Sequence, residues 1–363
     1  MPIIEYENLG KVNEPFFNEY RAAFEDVLQS GWYILGDSVK KFEQQYAAYC
    51  NSPHCVGVAN GLDALALSLK AAGIAPGSEV LVPSNTYIAT ILAILHNGLK
   101  PVLVEPDLAT YNIDPARVEE RITPNTKAIV VVHLYGKLCD MEAIMAIADR
   151  HHLFVLEDCA QAHGAAFKGR KAGSWGHASA HSFYPTKNLG ALADAGAITC
   201  REEAIKEKLR ALRNYGSREK YHNELAGYNS RLGEMQAAFL SIKLQHLDAI
   251  NTHKRKLAAL YLEGLKDDFI KPVVYPGYHD VYHIFNVRHP ERNRLKAWLL
   301  QQGIQTEIHY PVSPIEQKAM KGLLGSEPTP IAAEIHQTTL SLPVSYFHTE
   351  ADVCRVLETM NKF

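Results

Sequence analysis

Lys187 stands in a loop between two segments that the sequence predicts to be buried strands, residues 178–183 and 195–200. Most lysines are solvated surface charges, but a lysine held at the edge of a buried sheet loses part of its hydration. This loss lowers the pKa of the amine and makes it a better nucleophile near neutral pH. Lys187 is therefore a candidate for Schiff-base formation with a carbonyl compound.

A second cluster of chemically useful residues is the run EDCAQAHG at residues 157–164, which follows another predicted strand. A buried carboxylate is costly unless it is paired, so Asp158 needs a partner, such as a cationic group of a ligand. Capping of the next helix is the alternative role for Asp158. Gln161 and His163 can equally be ordinary polar residues of a helix or of the surface.

Polar turns also follow the first and second predicted strands. Asn60-Gly61-Leu62-Asp63 leads directly into a helix. Its glycine permits a close approach to the backbone, and the free N–H groups of a helix N-terminus suit a phosphate. Tyr87 could stack on a planar ligand or pack as a core aromatic. Neither the GxGxxG motif nor the P-loop motif occurs, which argues against a dinucleotide or a nucleoside triphosphate.

One ligand, pyridoxal phosphate (PLP), accounts for all of these clusters. Its carbonyl group would react with Lys187, and its ring nitrogen requires an acid such as Asp158 so that the ring can act as an electron sink. Its phosphate would bind at Gly61 and Leu62 and at the hydroxyl of Ser182. Ligands of open parallel sheets bind beyond the carboxyl ends of the strands, where these residues are predicted to lie.

The elements that must position these residues follow from the hydrophobic pattern between residues 55 and 200. Short segments rich in Val and Ile alternate with helical patterns. This order predicts an α/β fold with a mostly parallel, seven-stranded sheet and helices on both faces. The predicted strands are residues 55–59, 79–83, 101–105, 127–133, 153–157, 178–183 and 195–200, and the predicted helices between them are 63–72, 86–97, 115–122 and 140–151.

The pattern changes after residue 200, and a length of 363 residues is typical of two domains. We predict a large domain at residues 1–250 and a small α+β domain at residues 251–363. The large domain would include N-terminal helices at 15–30 and 37–50 and further helices at 203–213 and 234–247. The small domain would contain the end of a helix reaching about residue 265, extended segments at 271–275 and 282–287, and helices at 292–302 and 349–361.

The composition is that of an ordinary globular protein, with 47% apolar residues and a net charge of −3. This near-balance of charge argues against a protein that wraps nucleic acid, which requires many phosphate contacts. The longest apolar run, Ile88 to Leu95, is broken by Thr90 and is far shorter than the ~18 residues of a membrane span. Cysteines without a C-x-x-C pair and an N-terminus without a signal-peptide pattern predict a cytoplasmic protein.

A metal site is not predicted. His279 and His283 are four residues apart, and His151 and His152 are adjacent. None of these histidines has the nearby cysteine or carboxylate set that is typical of zinc.

The motifs together resemble the PLP-dependent sugar aminotransferases of the DegT/DnrJ/EryC1/StrS family. They come in the family's order and span nearly the whole chain. The resemblance implies the aspartate aminotransferase fold (type I). The matching segments are residues 60–65, 157–164, 182–190, 227–232, 234–238 and 309–311.

The resemblance implies a role for each matching residue. Lys187 would form the Schiff base with the cofactor and then transfer protons, and Asp158 would pair with the ring nitrogen. The other implied cofactor contacts are Gln161 near the 3-hydroxyl, Tyr87 over the ring face, and Gly61, Leu62 and Ser182 at the phosphate.

The resemblance also implies a homodimer with shared active sites, because Asn229 would reach the phosphate bound by the neighbouring subunit. The implied substrate-binding residues are Tyr184, His163, His309 and Tyr310. Core packing is a nearly equal alternative to ligand contact for His309 and Tyr310. After residues 309–311 the family often has a histidine before the glutamine, and this chain has Val312 to Gln317 without one.

Within the family, residues 187–197 are more similar to the sugar 3-aminotransferases. The implied reaction moves an amino group from glutamate, which leaves as 2-oxoglutarate, to a dTDP-3-keto-6-deoxyhexose and gives a dTDP-3-amino-3,6-dideoxyhexose. A 4-aminotransferase of the perosamine type is the alternative. A PLP-dependent sugar dehydratase would typically carry His in place of Lys187, and a silent PLP-binding regulator would have lost Lys187 or Asp158.

Overall fold

The computed structural model describes residues 2–219 and 221–363. Its strands follow the segments of Val, Ile and small residues that alternate with the helical patterns. In chain order they are β1 His54–Val58, β2 Glu79–Pro83, β3 Lys100–Val104, β4 Thr126–Val132, β5 Phe154–Asp158, β6 Ala166–Phe167, β7 Arg170–Lys171, β8 Ala178–Ser182, β9 Gly196–Cys200, β10 Ser217–Glu219, β11 His222–Asn223, β12 Tyr278–His279, β13 Phe285–Arg288 and β14 Thr339–Leu342.

The main sheet has seven strands in the order β1-β9-β8-β5-β4-β2-β3. The five strands from β8 to β3 pair in parallel, whereas β9 is antiparallel to both β8 and β1. The carboxyl ends of the parallel strands therefore meet at one edge. The prediction of a seven-stranded, mostly parallel sheet is confirmed.

Helices cover the sheet on both faces. Val80 and Val82 pack into one core cluster, which also holds residues of the helices at 61–72 and 88–96. Leu81, which points to the opposite face, packs into a second cluster with the helix at 141–151. The helices are α1 Leu9–Asn13, α2 Phe17–Ser30, α3 Asp37–Cys50, α4 Gly61–Ala72, α5 Ile88–His96, α6 Pro115–Glu120, α7 Met141–His151, α8 Glu203–Leu212, α9 Glu234–Gln245, α10 Leu247–Gly264, α11 Arg292–Gln301, α12 Pro330–Thr338 and α13 Glu350–Met360.

The C-terminal part of the chain has its own core. Apolar residues from position 257 onward, joined by Ile4, pack around the antiparallel pair β13 and β14 and the helices α10, α11 and α13. The predicted division between residues 250 and 251 falls inside α10, and the division itself stays a prediction.

The sequence-based element assignment differs from the structure in several details. The extended segment expected at residues 271–275 forms no strand, and the one expected at 282–287 forms β13 at Phe285–Arg288. The pattern also missed α12 and β14, which follow each other without a turn. Among the described residues, no helix combines the length and the apolar character needed to cross a bilayer.

Candidate active site

A cavity of about 600 Å³ lies beyond the carboxyl ends of the parallel strands. This is the edge at which open parallel sheets bind ligands. Most of the residues singled out from the sequence line it. These are Gly61, Leu62, Tyr87, Asp158, Gln161, Ser182, Tyr184, Lys187, His309 and Tyr310.

Lys187 reaches this cavity from the loop that follows β8. Its backbone N–H donates to the carbonyl of Tyr184 at 2.8 Å, which closes a tight turn and orients the side chain. Burial lowers the pKa of the Lys187 amine to about 8, although the negative charge of Asp158 acts in the opposite direction. The amine is therefore present in both its charged and its neutral form near neutral pH.

Asp158 is the last residue of β5, and its carboxylate is held by two donors. The hydroxyl of Thr90 donates to Oδ2 at 2.9 Å, and the backbone N–H of Ala160 donates to Oδ1 at 3.1 Å. Burial raises the pKa of Asp158, and these two hydrogen bonds and the charge of Lys187 oppose that shift. The carboxylate is fixed in orientation but lacks an ionic partner in direct contact among the described residues, which suits a cationic ligand group.

Glu157, the preceding residue of β5, points to the other face of the sheet. Its carboxylate accepts hydrogen bonds from Nε2 of His133 at 3.0 Å and from the backbone N–H groups of Trp175 and Gly176, both at 2.8 Å. Burial alone would raise its pKa, but the hydrogen bonds from His133 and Gly176 lower the pKa to about 2. Glu157 is therefore a permanent anion inside the fold.

Potential metal-ligating atoms of His133, Glu157 and Cys159 lie within 4.8 Å of one another. The hydrogen bonds of the first two residues explain this proximity. Nδ1 of His133 accepts from the N–H of Cys139 at 3.1 Å, so the ring carries its proton on Nε2 and donates it to Glu157. Burial raises the pKa of the Cys159 thiol well above its usual range. His133 and Glu157 therefore form a hydrogen-bonded structural pair, with the thiol of Cys159 nearby.

The N-terminus of α4 forms a cradle at one end of the cavity. The side chain of Asn60 caps the helix by accepting from the N–H of Asp63 at 2.8 Å, and its carbonyl accepts from Ala64 at 3.1 Å. The N–H groups of Gly61 and Leu62 are the remaining donors of this first turn. A Cβ atom at Gly61 would lie 2.5 Å from Cβ of Ser182, so only glycine allows this approach. The cradle fits a phosphate.

Aromatic and amide side chains form the wall opposite the sheet. The ring of Tyr87 is 53% exposed and lies 5.1 Å from the ring of Tyr310. Gln161 joins the two sides of the cavity, because its Nε2 donates to the hydroxyl of Tyr310 at 2.9 Å and its Oε1 accepts from the N–H of Tyr135 at 2.6 Å. Tyr184 is 52% exposed at the mouth.

His309 and Tyr310 come from the C-terminal part of the chain. Nδ1 of His309 lies 2.9 Å from the hydroxyl of Ser341, and burial lowers the pKa of this histidine to about 4. The carbonyl of Tyr310 accepts from Nδ1 of His336 in α12 at 2.7 Å. Burial raises the pKa of the Tyr310 hydroxyl, so it is a neutral hydrogen-bonding group.

Two of the predicted site residues lie away from the cavity lining. His163 is buried behind the site, where its ring packs 5.4 Å from that of Phe183 and its carbonyl accepts from Asn251 at 2.8 Å. Asn229 is exposed and pairs with Asn214 through an isolated β-bridge. Substrate contact for His163 and a contact across subunits for Asn229 stay predictions.

Several polar residues of the site were not predicted to belong to it. Asp194 and His283 line the cavity, and Thr90 supports Asp158 from α5. The only signal in the sequence was Thr90 itself, a hydroxyl in an otherwise apolar helix. No local pattern identifies Asp194 or His283, because the segments that carry them reach this edge of the sheet only through the tertiary fold.

The sequence profile of the DegT/DnrJ/EryC1/StrS aminotransferase family matches residues 17–361. The chain belongs to this family. The membership predicted from the motifs is thus confirmed. A family member from Aneurinibacillus thermoaerophilus, a dTDP-3-amino-3,6-dideoxy-α-D-galactopyranose transaminase, is 52% identical over 362 residues and is matched over 99% of either chain.

Solved structures of similar proteins have the same fold. The crystal structure of DesV from S. venezuelae has a TM-score of 0.98 at 44% identity, and the match covers 100% of this chain and 98% of that one. The crystal structure of NtdA from Bacillus subtilis, with bound cofactor PMP, has a TM-score of 0.93 at 28% identity and covers 99% and 85%. The predicted aminotransferase fold is confirmed.

Proposed function

We propose that this member of the aminotransferase family uses PLP to move an amino group from glutamate to a dTDP-3-keto-6-deoxyhexose, with a dTDP-3-amino-3,6-dideoxyhexose as product. One observation carries the proposal. The amine of Lys187 and the carboxylate of Asp158 share one cavity, and the first turn of α4 offers unpaired N–H groups to the same cavity. PLP requires these three features.

The residues of the cavity fit PLP. Gly61, Leu62 and Ser182 would hold its phosphate, and Asp158 would keep its ring nitrogen protonated. When bound, PLP supplies an electron sink for a carbon that loses a proton. The remaining predicted contacts are Tyr87 over the ring and Gln161 near the 3-hydroxyl.

Lys187 is proposed to serve as both base and acid. A pKa of about 8 lets its amine accept a proton from one carbon and donate it to another without a large energetic penalty. Proton transfer by such a positioned group typically contributes about 10²- to 10⁴-fold to the rate. Exclusion of bulk water by Tyr87 and Tyr310 would keep that proton within the site.

A homodimer with shared active sites is part of the proposal. Trp32, Tyr33 and Ile34 form consecutive exposed apolar side chains, a type of surface that marks protein contacts. Asn229 is exposed and available to a second subunit. Replacement of Asn229 by alanine should weaken PLP binding, and mixed dimers with Lys187→Ala subunits should then show whether the asparagine acts across the interface.

The sugar nucleotide is inferred from the relatives. The A. thermoaerophilus transaminase is named for a dTDP-3-amino-3,6-dideoxyhexose and is 52% identical. Tyr184, His309 and Tyr310 line the cavity, and they are the residues proposed to contact the sugar. His163, which lies behind the lining, could influence these contacts only through its neighbours.

The test is incubation of the holoenzyme with glutamate and with dTDP-3-keto- or dTDP-4-keto-6-deoxyhexoses. Mass spectrometry and NMR of the product then report the position and configuration of the new amine. Amination at C3 is expected, and amination only at C4 would favour the perosamine-type alternative. Lys187→Ala should abolish both turnover and the visible absorbance of the bound cofactor, whereas undiminished turnover in that variant would refute the mechanism.

A further inference from the structure

His283 lines the cavity but has no part in the roles assigned so far. The segment that carries it, residues 281–284, is held by the main chain of the turn after β4. The N–H of Val281 donates to Gly136 at 2.9 Å, and that of Ile284 donates to Tyr135 at 3.3 Å. His283 is therefore placed by the rigid edge of the large sheet, although it lies in the C-terminal part of the chain.

Two side chains hold the same segment from other directions. Asn188, the residue after Lys187, donates from Nδ2 to the carbonyl of Val281 at 3.0 Å. Lys254 of α10 donates to the carbonyl of His283 at 3.2 Å. The segment is consequently coupled to the loop that carries the reactive amine, and His283 lies near Lys187.

The ring of His283 has an unused hydrogen-bonding capacity. Its Nδ1 is fully buried and has no hydrogen-bond partner among the described residues. Burial and the nearby positive charges of Lys187 and Lys254 lower its pKa well below the usual range, so the ring is neutral. A buried N–H without an acceptor is rarer than a bare lone pair. The proton is therefore assigned to Nε2, on the edge of the ring that reaches the cavity.

The cavity offers few groups to an anionic amino donor. Within the described residues that line it, Lys187 is the one lysine or arginine, and Asp158 and Asp194 are acidic. An amino-acid donor brings a carboxylate on the same carbon as the amine that must replace Lys187. That carboxylate has to be bound within a few ångströms of Lys187, and a neutral N–H donor that faces the cavity is one group of this chain that can bind it.

We propose that Nε2–H of His283 donates a hydrogen bond to a carboxylate of the amino-acid donor and thereby positions the donor amine. This inference rests on the proposed transaminase function. A hydroxyl of the sugar next to its keto carbon is the competing ligand, because it would occupy the same region in the second half of the reaction.

The experiment separates the two half-reactions. The holoenzyme is mixed with glutamate alone, and the loss of visible cofactor absorbance gives the half-saturating glutamate concentration. The aminated enzyme is then mixed with the keto sugar, and the return of absorbance gives the half-saturating sugar concentration. These two half-saturating concentrations are called the glutamate value and the sugar value. His283→Leu should raise the glutamate value by roughly 10- to 100-fold, the usual effect of losing one hydrogen bond to a charged group, and should leave the sugar value within about 2-fold of the wild type.

His283→Gln retains an N–H donor and should show a smaller rise that is confined to glutamate. It also keeps the test usable if the leucine variant does not fold, which thermal unfolding and cofactor content will show. His279→Gln, four residues earlier on β12 and outside the cavity lining, is the matched control and should change neither value.

The outcomes distinguish the inference from the function on which it rests. A shift of the sugar value alone, or equal shifts of both values, would refute the assignment of His283 to the donor. Unchanged values in both His283 variants would refute any binding role. If glutamate fails to bleach the wild-type holoenzyme, the proposed donor itself is wrong. Calorimetry with glutarate, an unreactive dicarboxylate, provides an independent readout in which binding should weaken in His283→Leu.

Discussion

The hydroxyl of Thr90 in α5 donates a hydrogen bond to Oδ2 of Asp158 at 2.9 Å. In the sequence, strands β3 and β4 lie between α5 and β5. The same hydroxyl lies 2.8 Å from that of Thr86, which lines the cavity. A hydrogen bond to the charged form of a carboxylate favours ionisation. Thr90 therefore opposes the rise in the pKa of Asp158 that burial causes, and it fixes the orientation of the carboxylate.

Replacement of Thr90 by valine removes this hydrogen bond with little change of shape. We expect kcat/KM to fall roughly 10-fold, since a hydrogen bond to a charged group contributes about 1.5–3 kcal/mol. The pKa of Asp158 should rise further, so the acidic limb of the pH profile should move to higher pH. Thr252→Val, at an exposed site on α10, is the control. An acidic limb that stays in place would show that Thr90 does not support the carboxylate.

The pKa of Lys187 predicts how the apoprotein captures PLP. Only the neutral amine attacks a carbonyl. With a pKa of about 8, the neutral fraction of the Lys187 amine rises about tenfold between about pH 7 and pH 9 and then levels off. The rate of cofactor capture, followed by visible absorbance, should have the same profile. Asp158→Asn removes the charge that raises this pKa, so its midpoint should lie at lower pH. A rate that still climbs steeply above about pH 9 would contradict a lowered pKa.

Gly61 is predicted to be irreplaceable in the phosphate cradle. The new Cβ of Gly61→Ala would lie 2.5 Å from Cβ of Ser182, so one of the two must move away from the phosphate. We expect the dissociation constant for PLP to rise at least about 10-fold, by equilibrium dialysis, because charge-assisted hydrogen bonds are lost. Gly233→Ala, at the start of α9, has no atom within 4 Å of its Cβ and should bind PLP normally. Equal affinity of both variants would refute the cradle.

Glu105 connects the large sheet to the helix that supports Tyr310. Its Oε1 accepts from the N–H of Ile331 and its Oε2 from that of Ala332, both at 3.0 Å, so its carboxylate caps the N-terminus of α12. At the other end of α12, His336 donates to the carbonyl of Tyr310 at 2.7 Å.

Glu105→Gln leaves one of these helix N–H groups without an acceptor. We expect the free energy of unfolding to fall by about 1–2 kcal/mol, as for the loss of a helix cap, and KM for the sugar to rise a few-fold because Tyr310 becomes less fixed. Denaturant titration and steady-state kinetics measure the two effects. Glu120→Gln at an exposed position is the control. Loss of stability without a change in KM would show that the Glu105 cap stabilises α12 but does not position Tyr310 for the substrate.

The large sheet was the most predictable part of the molecule. Its strands are short, apolar on both faces and separated by helices, so β2 was predicted at its observed bounds and β5 within one residue. The polar residues after these strands, including Asp158 and Lys187, could then be placed at one edge. Parallel topology alone brings them together, without knowledge of any side-chain contact.

The rest of the site depends on contacts that no local pattern encodes. His283 and Tyr310 reach the cavity because α10, β13 and β14 form a separate core that docks against the turn after β4. Helix α12 was missed because its start is stabilised by Glu105, which is distant in sequence and replaces a local capping side chain. His163 was expected near the substrate, and its position behind Phe183 depends on packing that spacing does not reveal.

The opposite orientation of Glu157 and Asp158 makes the chemistry of the site a matter of strand register. β5 pairs with β4 and β8, and neighbouring residues of a strand alternate between the two faces of a sheet. A slip of one residue would bring Glu157 to the cavity and leave Asp158, one methylene shorter, to meet His133 and the backbone N–H groups behind the sheet. A chain with this wrong register would therefore keep its sheet and still be unable to hold the cofactor. During refolding, recovery of cofactor absorbance consequently reports correct strand pairing more directly than secondary-structure content does.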